Sequence, residues 1–263
     1  MDWRIHRFEV VDSTNEVAFE ALARGDGRPG DVFIAQRQTA GRGTRGRSWL
    51  SEPGGLYMSV ILQTPTLPAP GLWTIAGALA ALDLARALGV AARLDWPNDL
   101  VNHDGAKLGG ILAESRGLGP RGPATYVLGI GVNLEASALK DAPRSGIIQD
   151  RRVAALLPRA DSGHGSVDPE KTMLAALARR TRVALDDAET LFLDFFDHCV
   201  QAHQPVRVDI AGNLVRGTFA ALDAARGVYL TPEAGVSPGG TCTNARWLPL
   251  AHVRSMTLIG DAD

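Results

Sequence analysis

At 263 residues the chain can build one large domain, or one domain with a small appendage. It is 45% hydrophobic, and 27 Lys+Arg against 29 Asp+Glu leave a net charge of −2. That near balance argues against a chain whose main partner is duplex nucleic acid, where a strongly basic face is expected.

The opening RIHRFEVVDSTN reads as a strand running into a helix, with Ser13 and Glu16 spelling an S-x-x-E capping box and VAFEALARG continuing to Gly25. DVFIAQRQ reads as a strand that feeds QTAGRGTRGRSW, after which GGLYMSVILQ is a second strand broken by TPTLPAPG. The most apolar stretch, GLWTIAGALAALDLARALGVAA, carries Asp83 and Arg86 and spaces its leucines helically, so a packed helix is expected and a membrane span is not. ARLDW, the turn WPND, and DLVNH and KLGGILAES on either side of Asp104-Gly105 follow, then ATYVLGIGVNL as a buried strand. Residues 135–167 are less regular, with SGHGS as a loop. DPEKTMLAALARR opens a helix with Asp168 as cap and Pro169 at the first helical position, and DDAETLFLDFFDHCV is another helix. Beyond Gln204-Pro205 the period switches to two, so a domain over 1–203 and a small β domain over 204–263 are expected.

Cys199 and Cys242 stand in no metal or redox spacing, which fits a reducing compartment. MDWRIHRFEVVDSTN has no apolar core or small-residue cleavage site, so a cytoplasmic protein is expected.

Residues 41–47, GRGTRGR, pack three glycines and three arginines into seven positions. Gly41, Gly43 and Gly46 spell the dinucleotide fingerprint G-x-G-x-x-G, but no helix opens there: Pro53, Gly54, Gly55 and a second strand follow. No acidic residue stands at the distance a ribose contact needs, and no G-K-[ST] follows for a Walker loop. What survives is a cationic loop between strands, in which glycines let backbone N–H groups approach an anion and arginines supply planar donor forks. Such a loop also fits a solvated basic surface or an RNA contact. Trp49 beside it suits an adenine ring with phosphates next to it.

VVDSTNEV, QTAGRGTRGRSW, LDWPNDL, AKLGGIL and LGIGVNL together resemble the biotin–protein ligases in order and spacing. The tail, with GTFAALDAARGVYL, resembles that family's SH3-like C-terminal domain. The resemblance implies an α+β fold: a central mixed β-sheet flanked by helices, of the class II synthetase-like biotin/lipoate ligase type, with a small β-barrel behind it. It implies a two-step reaction in which biotin and ATP give biotinyl-5′-AMP and pyrophosphate, and a lysine of a biotin carboxyl carrier domain then displaces AMP. Mg²⁺ would arrive with ATP, held largely by phosphates and water; no protein metal site is legible.

Carried over to this chain, the resemblance places Ser13 and Thr14 at the biotin ureido group, with Gln38, Gly41, Gly110 and Gly129 also around biotin. Arg42 would stand nearest the carboxylate and phosphate, with Gly43, Arg45 and Arg47 along the ATP side. Trp49, Asn98 and Asn133 would lie against the adenylate, and Asp99 would anchor the site; on turn chemistry alone Asp99 is a capping residue of W-P-N-D. Lys107, the only lysine before residue 140, would meet the bridging carboxylate and α-phosphate oxygens and act with Arg42 in catalysis. Read without the resemblance, Lys107 is equally an exposed charge on a strand.

Two positions depart from the pattern: Thr44 and Asp95 stand where the family often carries basic residues. A leakier adenylate is expected unless Arg45, Arg47 or Arg93 compensate. The S-T-N block begins at residue 13, so a form without the N-terminal DNA-binding domain is expected. The competing readings are a lipoate–protein ligase of the same fold and a non-catalytic biotin or adenylate sensor. A carboxylase carrier domain is the expected partner, with no nucleic acid or membrane; the sequence leaves a homodimer open.

Overall fold

The computed structural model describes residues 2–116, 123–142, 147–148, 151–157, 167–232 and 244–259. In the first two hundred residues the elements are β1 (Arg4–Val11), α1 (Thr14–Arg24), β2 (Asp31–Gln38), β3 (Gly55–Thr64), α2 (Leu72–Ala87), β4 (Ala92–Asp95), β5 (Asp99–Asn102), β6 (Lys107–Glu114) and β7 (Ala124–Asn133). After these come the two-residue strands β8 (Ile147–Ile148) and β9 (Arg151–Arg152), then α3 (Pro169–Asp186) and α4 (Ala188–His198). Seven strands form one sheet in the order β1-β2-β3-β7-β6-β5-β4. Only β1 and β2 run parallel; the other pairs are antiparallel, which makes the sheet mixed as expected.

Strand alternation gives the sheet two unlike faces. Val60, Leu62, Leu128 and Ile130 face α2 and join the main core, while Phe33, Ile61 and Val127 face α1 and pack on Ala18, Phe19 and Ala21. Helix α2 is buried almost all round, and its small residues let it lie close: a Cβ on Gly77 would stand 2.9 Å from Ile111 Cγ2. Helices α3 and α4 complete that layer, and no helix among the described residues is long and apolar enough to cross a membrane. Asp168 caps α3 through the Lys171 N–H, with Pro169 in the first turn, as the sequence suggests.

The capping box at α1 does not form. Ser13 holds the cap position, yet its side chain makes no capping hydrogen bond. Glu16 turns outward to Arg42 and Arg116, because a guanidinium is a stronger partner for a carboxylate than a backbone N–H.

The second sheet holds β10 (Pro205–Ile210), β11 (Asn213–Asp223), β12 (Gly227–Thr231), β13 (Arg246–Leu248) and β14 (Val253–Leu258), antiparallel in the order β13-β12-β11-β10-β14. Its core is continuous with the first: Phe219 meets Trp96 and Phe196 edge to face, at ring separations of 6.1 and 4.9 Å. The expected SGHGS loop and Cys242 lie outside the described residues.

Candidate functional site

Helix α1 covers only part of its face of the sheet. Beyond its N-terminus the positions facing that side on β6 and β7 are Gly110, Gly129 and Gly131, with Gly110 and Gly131 paired across the strands. Glycines leave the sheet surface bare, and a cleft opens there with Ser13, Thr14 and Asn15 at its inner end. The α1 N-terminus supplies a partial positive charge, a setting that favours anions and polar acceptors.

The polar end is tightly organised. Gln38 Oε1 accepts from the Thr14 N–H at 2.8 Å, and Gln38 Nε2 donates to Ser51 Oγ at 2.8 Å. The buried Ser59 hydroxyl lies 2.7 Å from Thr14 Oγ1 and 2.5 Å from Asn15 Oδ1. Asn15 Nδ2 donates to Glu114 at 2.8 Å. A Cβ on Gly129 would stand 2.4 Å from Asn15 Oδ1, so glycine there is a condition of the network.

Residues 38–51 form a narrow arm with its own ladder: Gln38 N–H to Ser51 O at 3.1 Å, Trp49 N–H to Gly41 O at 2.8 Å and Gly43 N–H to Arg47 O at 2.7 Å. At Gly41 the glycine serves close approach, since a Cβ would fall 2.5 Å from Trp49 O. The arm folds Trp49 over the glycine floor. A Cβ on Gly131 would meet the indole Nε1 at 2.7 Å, and one on Gly110 would meet Cζ3 at 3.2 Å. The Trp49 Nε1–H is buried without a hydrogen-bond partner.

Lys107 begins β6 and its side chain is 13% exposed. Its Nζ lies 2.6 Å from Asp99 Oδ1 and 5.2 Å from the centroid of the Trp49 ring. Burial foremost, and the guanidiniums of Arg151 and Arg47, push the ammonium below the usual lysine range, with Asp99 pulling the other way. The second Asp99 oxygen lies 3.3 Å from Arg151 Nη1, and Arg151 also donates to Asp95.

The cleft therefore brings together Ser13, Thr14, Gln38, Arg42, Gly43, Arg47, Trp49, Asn98, Lys107, Gly110, Gly129 and Asn133. Three expected residues stand differently. Gly41 lies in the arm's ladder and does not line the cleft. Asp99 reaches the site through Lys107 and faces a second cleft between the two sheets. Arg45 adopts φ +59°, which turns it away to donate to the Arg254 carbonyl of β14. Arg42 reaches the cleft but is paired with Glu16 and Glu114. Of the arginines expected to compensate for Thr44 and Asp95, Arg93 donates to the Cys199 carbonyl, which leaves Arg47 in the cleft.

Sequence reasoning missed Asn15 and Arg151. Asn15 was legible as the third residue of S-T-N. For Arg151 the sequence offers no signal, because a single parallel bridge between Lys107 and Val153 brings its segment alongside β6. Among the described residues no Asp or Glu lines the cleft and no cluster of His, Cys, Asp and Glu could hold a metal ion.

A sequence model of the Biotin/lipoate A/B protein ligase family matches residues 7–133. A biotin–[acetyl-CoA-carboxylase] ligase of Paracoccus denitrificans is 39% identical over 184 residues, 67% of this chain and 72% of that protein. The bifunctional ligase/repressor of Escherichia coli (strain K12) is 35% identical over 182 residues, which span about half (52%) of its length. Among solved structures, biotin protein ligase from Aquifex aeolicus in complex with biotin and ATP superposes with a TM-score of 0.71 at 22% identity, covering 97% of this chain and 99% of that one.

Proposed function

The chain belongs to the biotin/lipoate A/B protein ligase family, and on that premise we propose that its cleft joins biotin to ATP and passes the biotinyl group to a lysine of a carboxyl carrier domain. The carrying observation is Lys107: a largely buried ammonium, paired with Asp99, at the edge of a glycine floor between a polar pocket and a cationic arm. In the first step a biotin carboxylate oxygen bonds to the α-phosphorus of ATP and the bond to the β-phosphate oxygen breaks, releasing pyrophosphate. In the second, the neutral amine of the carrier lysine attacks the anhydride carbonyl, AMP leaves with the bridging oxygen, and the amine's proton passes to solvent.

The residues meet the demands of that chemistry. Ser13, Thr14 and Gln38, beside the α1 N-terminus, suit the polar ureido end of biotin. Gly110 admits Trp49 and Gly129 admits Asn15 close against the sheet, which leaves the cleft between them for biotin's rings. Lys107, Arg42 and Arg47 offset the repulsion between a carboxylate and a polyphosphate. Trp49, Asn98 and Asn133 form the nucleotide side. With cations on the walls, Mg²⁺ would be carried by the phosphates of ATP and by water, where its role is to neutralise charge.

Biotin-dependent exchange of labelled pyrophosphate into ATP tests the first step, with lipoate run in parallel. Exchange with biotin alone is expected. Exchange with lipoate instead overturns the substrate assignment, and biotin binding without exchange makes the protein a sensor.

A further inference from the structure

The most unusual charged cluster beside the expected constellation is a chain of five side chains that runs from Gln201 to Lys107. Gln201, just after α4, donates to Asp95 at the end of β4. Asp95 holds the Arg151 guanidinium, and Arg151 holds Asp99 Oδ2 at 3.3 Å. Asp99 Oδ1 holds Lys107 at 2.6 Å. Asp99 is almost wholly buried, so how its two oxygens are shared between the two cations matters far more than it would in water.

We propose that Arg151, clamped by Asp95, is a positioning residue for Lys107: by occupying one oxygen of Asp99 it confines the ammonium to the other and keeps it facing the cleft. The geometry supports this in three ways. Arg151 cannot swing freely, because Asp95 is itself fixed by Gln201, whose side-chain oxygen accepts from the Trp96 N–H at 3.2 Å. The backbone of the same segment is tied to Lys107, with the Ala154 N–H donating to the Lys107 carbonyl at 2.9 Å. Among the described residues the charged groups acting on the ammonium are Asp99 from β5, Arg151 from β9 and Arg47 from the arm, so removing Arg151 takes away one of two repelling cations and frees the second Asp99 oxygen. Lys107 then sinks onto Asp99. On this view Asp95, which departs from the family pattern, holds in place the cation that orders the site.

The proposal rests on the ligase reading for its kinetic consequence, but its physical content can be read without turnover. The chain has three lysines, Lys107, Lys140 and Lys171. Protein labelled with ¹³C at the lysine ε-carbon therefore gives three signals, and loss of one in Lys107→Arg assigns Lys107. Arg151→Ala is expected to move the Lys107 titration midpoint upward and to lower kcat for biotin-dependent exchange by roughly ten- to hundredfold, the scale of a misplaced catalytic group. Arg151→Lys should fall between the two. Asp95→Asn should shift the midpoint in the same direction, and should add little in the Arg151→Ala background. An unmoved midpoint in Arg151→Ala overturns the proposal, whether the rate is kept or is lost only through a higher KM for ATP; the latter pattern would make Arg151 a phosphate contact. Full additivity of the two substitutions overturns the clamp. Failure of the wild-type protein to exchange would sink the ligase reading and leave the titration to judge Arg151.

Discussion

Replacing Gly131 by alanine separates the stability of this site from its function. The new methyl would lie 2.7 Å from Trp49 Nε1 and 2.8 Å from Cε2, closer than real contacts allow. The backbone has little room to yield, because Gly131 is paired on one side with Tyr57 and on the other with Gly110 in the middle of the sheet. The indole must therefore leave. Its departure forfeits the contact with the Lys107 ammonium, worth about 0.5–2 kcal/mol, and part of its packing on the floor. It also frees a buried indole N–H that has no partner, whose desolvation costs roughly 1–3 kcal/mol. These terms oppose each other, so urea unfolding should report a net change within about 1 kcal/mol. Ligand binding has no such offset, since a methyl on the floor and a displaced indole remove the flat surface that the rings need. The KM values in pyrophosphate exchange should rise by more than about tenfold, a loss of at least 1.4 kcal/mol in binding. A Gly131→Ala protein with KM values within threefold of wild type would refute the floor. So would one destabilised by more than about 3 kcal/mol, because the backbone would then have moved instead of the indole.

Lys107→Met should lower kcat for exchange by roughly 10²–10³, as for removal of one charge-stabilising group, with a smaller effect on unfolding because Asp99 keeps Arg151; exchange within threefold of wild type would contradict its role. Because Lys107 is held below the usual lysine range by burial first, the alkaline loss of kcat should begin below the range of a free lysine. The sign for stability is opposite: between the lowered folded value and the unfolded one the unfolded chain binds more protons, so this group's contribution to stability rises with pH, which urea midpoints across that window would register. Gly129→Ala puts a methyl 2.4 Å from Asn15 Oδ1 and should cost roughly 1–3 kcal/mol of stability through the broken Ser59 network, with biotin affinity falling more than that for ATP by calorimetry. Burial pushes the Cys199 thiol up to about 12, so thiol titration of the native protein should leave Cys199 unreacted until denaturant is added.

Legibility followed the range of the interactions. The D-S-T-N turn, the arm, W-P-N-D and K-L-G-G-I-L are contiguous segments whose residues meet the cleft within a turn or a strand of one another, and period-two and helical patterns place most strands and helices. Contacts over long separations were not legible. Arg42 meets Glu114 72 residues away, which turns a loop cation into half of an ion pair. Arg45 and Arg47 look equivalent in sequence, yet the positive φ at Arg45 turns it to the Arg254 carbonyl and out of the first cleft, which Arg47 still lines. The S-x-x-E box failed for the same reason, since Glu16 finds Arg116 100 residues on.

The rings of Trp96, Phe195, Phe196 and Phe219 carry a mechanical consequence. Trp96 sits between Asp95, which holds Arg151, and Asn98 and Asp99, which reach Ile111 and Lys107. Its indole is wedged by Phe195 of α4 on one side and Phe219 of the second sheet on the other, at 5.8 and 6.1 Å. The second sheet thus acts as a splint on the turn from which Lys107 takes its bearing. A chain cut at residue 204 would lose that brace, and a hinge engineered there would slacken the pairing of Lys107 with Asp99.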